Sequence, residues 1–501
     1  MISGAWHGKQ YISNLAHQHP KLSVFALPIL GAKHHIIIAP SLTDQLLRSP
    51  EITNKVSQQP QFFSLMETVF GDHEGRFRTM DQNILWRNVE GALAGLDNEE
   101  SLNLAMEDLK RSLGADVGRL ISLGTDGTKG IWEKASAVTL LDGKGLSATA
   151  SLYPLLRDFT AKLVFDTLLG PDFLLNYPDA LLDLFMLDYK LDLLQTGMPT
   201  SFPALVAAHE ARTRLLENLQ AHHVVYMEYR VGEDAGLLWQ DIHKASRVIG
   251  ERIEAFAKAG DFDKDKPSTE RGMLSAMSTL YMLWQIWAIV VPTTFWMVYH
   301  VYSDPPLLSE LREEVAFCIK QGDSLYNNID ISPLQANCPL LKAILNEALR
   351  SESHSIIYRY IYKNFTMAEF KEDARTLGHE CPQTYIFKAG EFIRMPLAVH
   401  QKDDRYFDNA DQFNARRTPA YETSPIWEAS SVLRHGAKLA EAQILAVVAA
   451  TIVAWDVVRV DGDGKERPWS PHPGHTSGAG AVMPDKDVRV KLSKRGLSKE
   501  S

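Results

Sequence analysis

Cysteine is scarce in this chain, with three in 501 residues: Cys318, Cys338 and Cys381. Three cannot build a disulfide framework, and their spacing matches no zinc pattern. A reducing compartment fits that count. Positive charge is also in short supply. Lys and Arg number 52 against 62 Asp and Glu, a formal net charge of −10, so nonspecific attraction to nucleic acid or to an anionic membrane is disfavoured. There is no basic run and no regular repeat. The first 20 residues, MISGAWHGKQYISNLAHQHP, lack an apolar segment, and no signal peptide is expected. The one long apolar run is LYMLWQIWAIVVPTTFWMVYHVY at 280–302. Its hydropathy makes it a membrane-span candidate. Gln285, Pro292 and His300 inside it, and the helix start SDPPLLSELREEV directly after it, favour a buried central helix.

What is present is a large globular composition. Hydrophobic residues are 45% and charged residues 23%, ordinary for a soluble protein. Apolar residues recur at three and four spacing over most of 75–350, as in LYPLLRDFTAKLVFDTLLG at 152–170. Short alternating strands are expected in 20–60, 356–425 and 455–493, and helix again at 436–454. The fold class expected is mainly α with a smaller β-rich part, in one domain over 1–501.

Three segments carry a resemblance: CPLLKAILNEALR (338–350), GEFIRMPLAVHQKDDRYFDNADQFNARR (390–417), and the helix ending in WDV at 455–457. In that order they resemble the cytochrome P-450 superfamily of haem-thiolate monooxygenases. The run at 280–302 and the tail GAGAVMPDKDVRV look most like the branch with prostacyclin synthase and the sterol 7-hydroxylases. The resemblance implies a buried structural ion cluster of Glu347, Arg350 and Arg416. The i, i+3 spacing makes Glu347 and Arg350 neighbours on one helix.

The same resemblance exposes a departure in PIWEASSVLRHGAKLAEAQILAVV at 425–448. The family's haem loop reads F-x-x-G-x-R-x-C-x-G. In register, Trp427 takes the aromatic position, Ser430 the first Gly, Val432 the Arg, Arg434 the Cys and Gly436 the last Gly. A guanidinium has no acceptor and does not deprotonate, so Arg434 cannot ligate iron. His435 is a ligand by chemistry, but one step along a helix turns the side chain by about 100°. The family's A/G-G-x-D/E-T-T, or the related A-N-T-x-P, falls on AIVVPT, where Ile289, Val290 and Val291 are aliphatic. Pro292 should free the carbonyl of Ala288. The expectation is therefore a haem-free member of the fold, with no cofactor and no metal.

Three functions compete. The leading one is non-redox catalysis on an apolar intermediate of fungal-type specialised metabolism, by cyclisation, cycloaddition, isomerisation or elimination, which need orientation and a few polar groups. The second is a noncatalytic metabolite-binding or partner protein. The third is a haem protein with a non-Cys ligand. Catalytic candidates are Arg434, His354, Arg359 and Glu428. Substrate-binding candidates are Trp287, Val291, Pro292, Ile356, Ile357 and His475. The partners expected are an apolar small-molecule substrate and pathway oxygenases, with no nucleic acid and no redox partner. The place expected is the cytosol or the cytosolic face of the endoplasmic reticulum.

Overall fold

The computed structural model describes residues 11–495, apart from 30, 81–92, 94–95, 97, 124–128, 142–146, 317–330, 354, 418–424, 470–472 and 477–479. Residues 11–18 are helical, and the chain then forms a hairpin, β1 (Val24–Ile29) and β2 (Ala32–Ile37), followed by helix α1 (Pro40–Arg48), the short strand β3 (Val56–Ser57) and helix α2 (Gln59–Thr68). Helix α3 (Glu99–Asp116) follows, with Asn98 capping it through bonds from the amides of Glu100 and Ser101. Two short strands interrupt the helical stretch, β4 (Thr139–Leu140) and β5 (Ser147–Ser151). The helices after them are α4 (Leu152–Leu169), α5 (Ala180–Tyr189), α6 (Val206–Arg230), α7 (Arg247–Lys258), α8 (Met273–Ser303), α9 (Pro305–Ala316) and α10 (Pro339–Glu352).

The apolar run lies inside α8, whose 31 residues extend about 46 Å. Nearly every side chain on it is buried, as an all-round apolar helix requires. It packs on α4, α6, α10 and α11 (Ser431–Ala454). Helices α8 and α11 are both long and apolar enough to cross a membrane, and 94% and 78% of their most apolar windows are buried inside the protein. They form its core. Pro292 leaves the carbonyl of Ala288 without its usual helical donor, and the amide of Ala481 fills that place at 3.1 Å.

The main sheet runs β1-β2-β9-β6-β3, with β6 (Ile356–Ile361) and β9 (Phe392–Pro396). Only its β2–β9 pairing is parallel. A hairpin of β7 (Phe365–Ala368) and β8 (Thr384–Phe387) stands beside it. The second sheet is β10-β13-β5-β4, with β10 (Trp455–Arg459) and β13 (Arg489–Lys494). Strands β11 (His475–Thr476) and β12 (Met483–Pro484) pair by themselves. The final helix begins at Ser431, five residues before the expected start at 436, because the Ser430 hydroxyl caps it by accepting from the Leu433 amide at 3.2 Å.

The buried ion cluster forms around Glu347, with one replacement. Arg350 grips Glu347 twice, at 2.8 and 2.9 Å. The third member is Arg417, whose Nε donates to Glu347 at 3.0 Å. Arg416, expected in that place, instead pairs with Glu310 at the surface, where its side chain is 67% exposed. A turn closed by the Arg417 amide on the Asn414 carbonyl brings residue 417 inward. The Asn414 amide itself donates to Glu347 at 2.9 Å.

Candidate functional site

Strand β6, IIYRYI, alternates its side chains, so Ile357, Arg359 and Ile361 face inward together. That parity buries a guanidinium, and a buried charge needs partners. Arg359 finds main-chain carbonyls: Glu428 at 2.7 Å, Ala429 at 3.0 Å and Tyr358 at 2.8 Å. Burial first, and then the charge of Arg434, lower its pKa to about 10. It remains cationic at neutral pH and clamps the 428–429 loop to the sheet.

The loop continues through Trp427, which is buried and whose indole N–H has no partner among the described residues. Glu428 pairs with Arg434 at 3.3 Å, and the Arg434 side chain is 52% exposed. Ser430 donates its hydroxyl to Oε1 of Gln285 on α8. The loop and the central helix are therefore in direct contact. Tyr281 lies one helical turn before Gln285, and burial raises its pKa. Tyr281 stays a neutral hydroxyl throughout the physiological range.

These groups border a cavity of about 140 Å³. Its walls come from α2, the Leu191–Leu194 turn, α8, β6, the start of α11 and Gly480. Phe62, Tyr281, Trp284 and Tyr358 give it an aromatic side, and Leu65, Ile289, Ile356, Ile357 and Leu433 an aliphatic one. Gln285, Ser355 and Ser430 supply polar points. The volume lies below the roughly 300–1,000 Å³ of drug-sized sites, so a compact ligand fits it.

Of the residues singled out from sequence, Ile356 and Ile357 line this cavity. Trp287, Val291 and Pro292 are buried on α8, one position or a turn away from the lining residues Ala288 and Ile289. Arg359 and Glu428 sit behind the wall, and Arg434 lies outside it. His354 lies outside the described residues, as does the side chain of His475, whose backbone pairs with Pro484 in β11. Sequence reasoning missed Tyr281, Ser355, Tyr358 and Asp192. Gln285 had a visible signal, a lone amide in an apolar run, but no distant partner could be read from it. The window AIVVPT ends in Thr293, whose buried hydroxyl has no partner among the described residues, and Thr294 after it bonds back to Val290 at 2.8 Å.

No family model matches the chain. Curated relatives do. A cytochrome P-450 monooxygenase, nodJ, of Hypoxylon pulicicidum is 27% identical over 192 residues, covering 34% of this chain and 35% of that protein. Cytochrome P-450 7A1 of Oryctolagus cuniculus is 28% identical over 180 residues, 33% of this chain and 31% of the relative. The chain belongs to the cytochrome P-450 superfamily. Lanosterol 14-alpha demethylase of Mycosarcoma maydis is 26% identical over 127 residues, 25% of this chain and 22% of that protein. The matched stretches thus span about a third or less of each relative.

These P-450 relatives overturn the expectation of no cofactor: they are monooxygenases of a haem-dependent superfamily, and haem is the group they imply. The residues of this loop do not supply the superfamily's way of holding it. Arg434 stands at the thiolate position and turns to Glu428. Ser430 and Gln285 touch across the gap between loop and central helix. Of the described cysteines, Cys338 is buried at the start of α10 and Cys381 is exposed just before β8. No group of three or more potential metal-ligating His, Cys, Asp or Glu side chains occurs among the described residues.

Proposed function

We propose that this P-450-fold protein converts an apolar small molecule of specialised metabolism in the cavity between α8, β6 and the start of α11. The step assigned is non-redox: a cyclisation, cycloaddition, isomerisation or elimination. The observation that carries it is the set of polar groups at the cavity wall. Ser430 and Gln285 are hydrogen-bonded to each other, with Tyr281 one helical turn away, beside the aromatic and aliphatic side of the cavity. A neutral hydroxyl and an amide fixed in a water-poor wall can polarise a carbonyl or hold a proton while the apolar walls fold the substrate. Arg359 acts from behind by fixing the loop that carries Ser430.

In this reading the chain needs no electron-transfer partner. It works in the cytosol or at the cytosolic face of the endoplasmic reticulum, beside the pathway oxygenases that make its substrate. The test is incubation with candidate pathway intermediates under ¹⁸O₂ and, in parallel, without oxygen or reductant. A product isomeric with its substrate, or smaller by an eliminated fragment, is expected under both conditions. Incorporation of ¹⁸O, or a strict need for reductant, overturns the assignment. A visible spectrum of the same preparation reports the haem content independently.

A further inference from the structure

Among the described residues lining the cavity, Asp192 alone carries a formal charge. Asp192 sits in the first turn of Leu191–Leu194 and is half-buried. Among the described residues its carboxylate has no hydrogen-bond or ion-pair partner, although neighbouring acids such as Asp183 and Asp188 do. An unpaired carboxylate on a partly dry wall favours a cation in front of it.

The aromatic side of the cavity matches that preference. Phe62 and Tyr281 meet edge to face at 5.2 Å, and Tyr281 and Trp284 are 6.1 Å apart. Trp284 donates its indole N–H to Asp188 at 2.8 Å. A carboxylate on the indole nitrogen enriches the ring in electrons and strengthens its attraction for a cation. No lysine or arginine lines the space among the described residues. A carboxylate or phosphate ligand would meet Asp192 without a compensating cation.

We propose that the cavity ligand is a compact lipophilic molecule bearing a protonated amine, with the ammonium at Asp192 and the apolar body against Phe62, Tyr281 and Trp284. This rests on the cavity being the substrate site. The probes are three matched compounds: 4-phenylbutylamine, 4-phenylbutanol and 4-phenylbutanoate. Binding to the full chain is followed at pH 7.5 by titration calorimetry and by tryptophan fluorescence. The amine should bind at least tenfold more tightly than the alcohol, and the carboxylate more weakly than both. Asp192→Asn keeps the shape and removes the charge, and should bring the amine down to the affinity the unmodified protein has for the alcohol. A melting curve verifies that the variant is folded. Equal affinity for amine and alcohol, or a preference that survives in Asp192→Asn, overturns the cation assignment while alcohol binding upholds the cavity as a site. Failure of all three probes to bind removes the cavity reading as well.

Discussion

Gly480 shows how much one hydrogen atom in place of a methyl can decide. A Cβ there would lie 2.4 Å from the Ala288 carbonyl oxygen and 2.8 Å from its carbon, both backbone atoms of α8. Backbone cannot swing aside as a long side chain can, so the loop must move. Moving it breaks the Ala481 bond to Ala288 and displaces the Gly480 carbonyl, which accepts from Ser355 at 3.0 Å. Gly480→Ala should therefore lower stability by about 1–3 kcal/mol and change ligand affinity, read by denaturant unfolding and by probe titration. A variant as stable as the parent would mean that the loop does not seat on the kink. Arg359 and Arg434 make a second contrast at this scale. Arg359→Ala strips three part-buried carbonyls of their donor and leaves a gap behind the loop, and should lose about 2–5 kcal/mol. Arg434→Ala removes an exposed pair and should change stability by less than about 1 kcal/mol. Equal losses in the two would show that burial does not separate them. From the sequence alone both arginines were candidates of one kind. Strand parity buries the first, and the first turn of α11 exposes the second.

Among the elements, α10 depends on Glu347 and what surrounds it. The carboxylate receives Arg350, Arg417 and the Asn414 amide, so removing it strands the buried guanidinium of Arg350 and the part-buried one of Arg417. Breaking such a pair costs about 3–5 kcal/mol, and Glu347→Ala should reach the soluble fraction poorly. Arg417→Ala should share that defect, whereas Arg416→Ala should melt near the parent temperature. The reverse ranking would restore Arg416 to the cluster. The Glu347–Arg350 pair was legible because i, i+3 is a local rule. The third partner was not, since the choice between 416 and 417 is made by a turn that periodicity does not encode. The same boundary runs through α8. Its burial and the freed Ala288 carbonyl follow from an all-round apolar run and a proline. The donor that fills it lies 193 positions along the chain, at Ala481, and nothing local announces it. Likewise β4 and β5 fall inside a stretch that reads as helical, because β5 is strand only by pairing with β13.

The whole molecule encloses titratable groups that its surface does not reveal. His222, His223 and His400 are buried at 0–1% exposure. Burial, the largest cause in each case, brings His222 and His400 down to about 4 and puts His223 well below the ordinary value. Both ring nitrogens of His223 lack a partner among the described residues, so charging it inside the core has no compensation. The sign follows directly. Below about pH 6.5 the unfolded chain takes protons on these rings and the folded one does not. Stability should then be greatest above pH 6.5 and fall as pH drops toward 4. Each ring contributes a slope of up to about 1.4 kcal/mol per pH unit in that window. Carboxylates held low by their partners, such as Glu369 and Asp403, lose their contribution only lower, as they protonate. The histidine step should therefore come first on acidification. Urea unfolding at pH 7.5, 6.5 and 5.5 measures it, with the transition midpoint expected to fall slightly between the first two and clearly more at the third. A midpoint that holds steady down to pH 5.5 would mean these rings are protonated in the fold. Replacing His223 by Leu should reduce the slope below pH 6.5 by one ring's share, since the variant has one fewer site for the unfolded chain to charge.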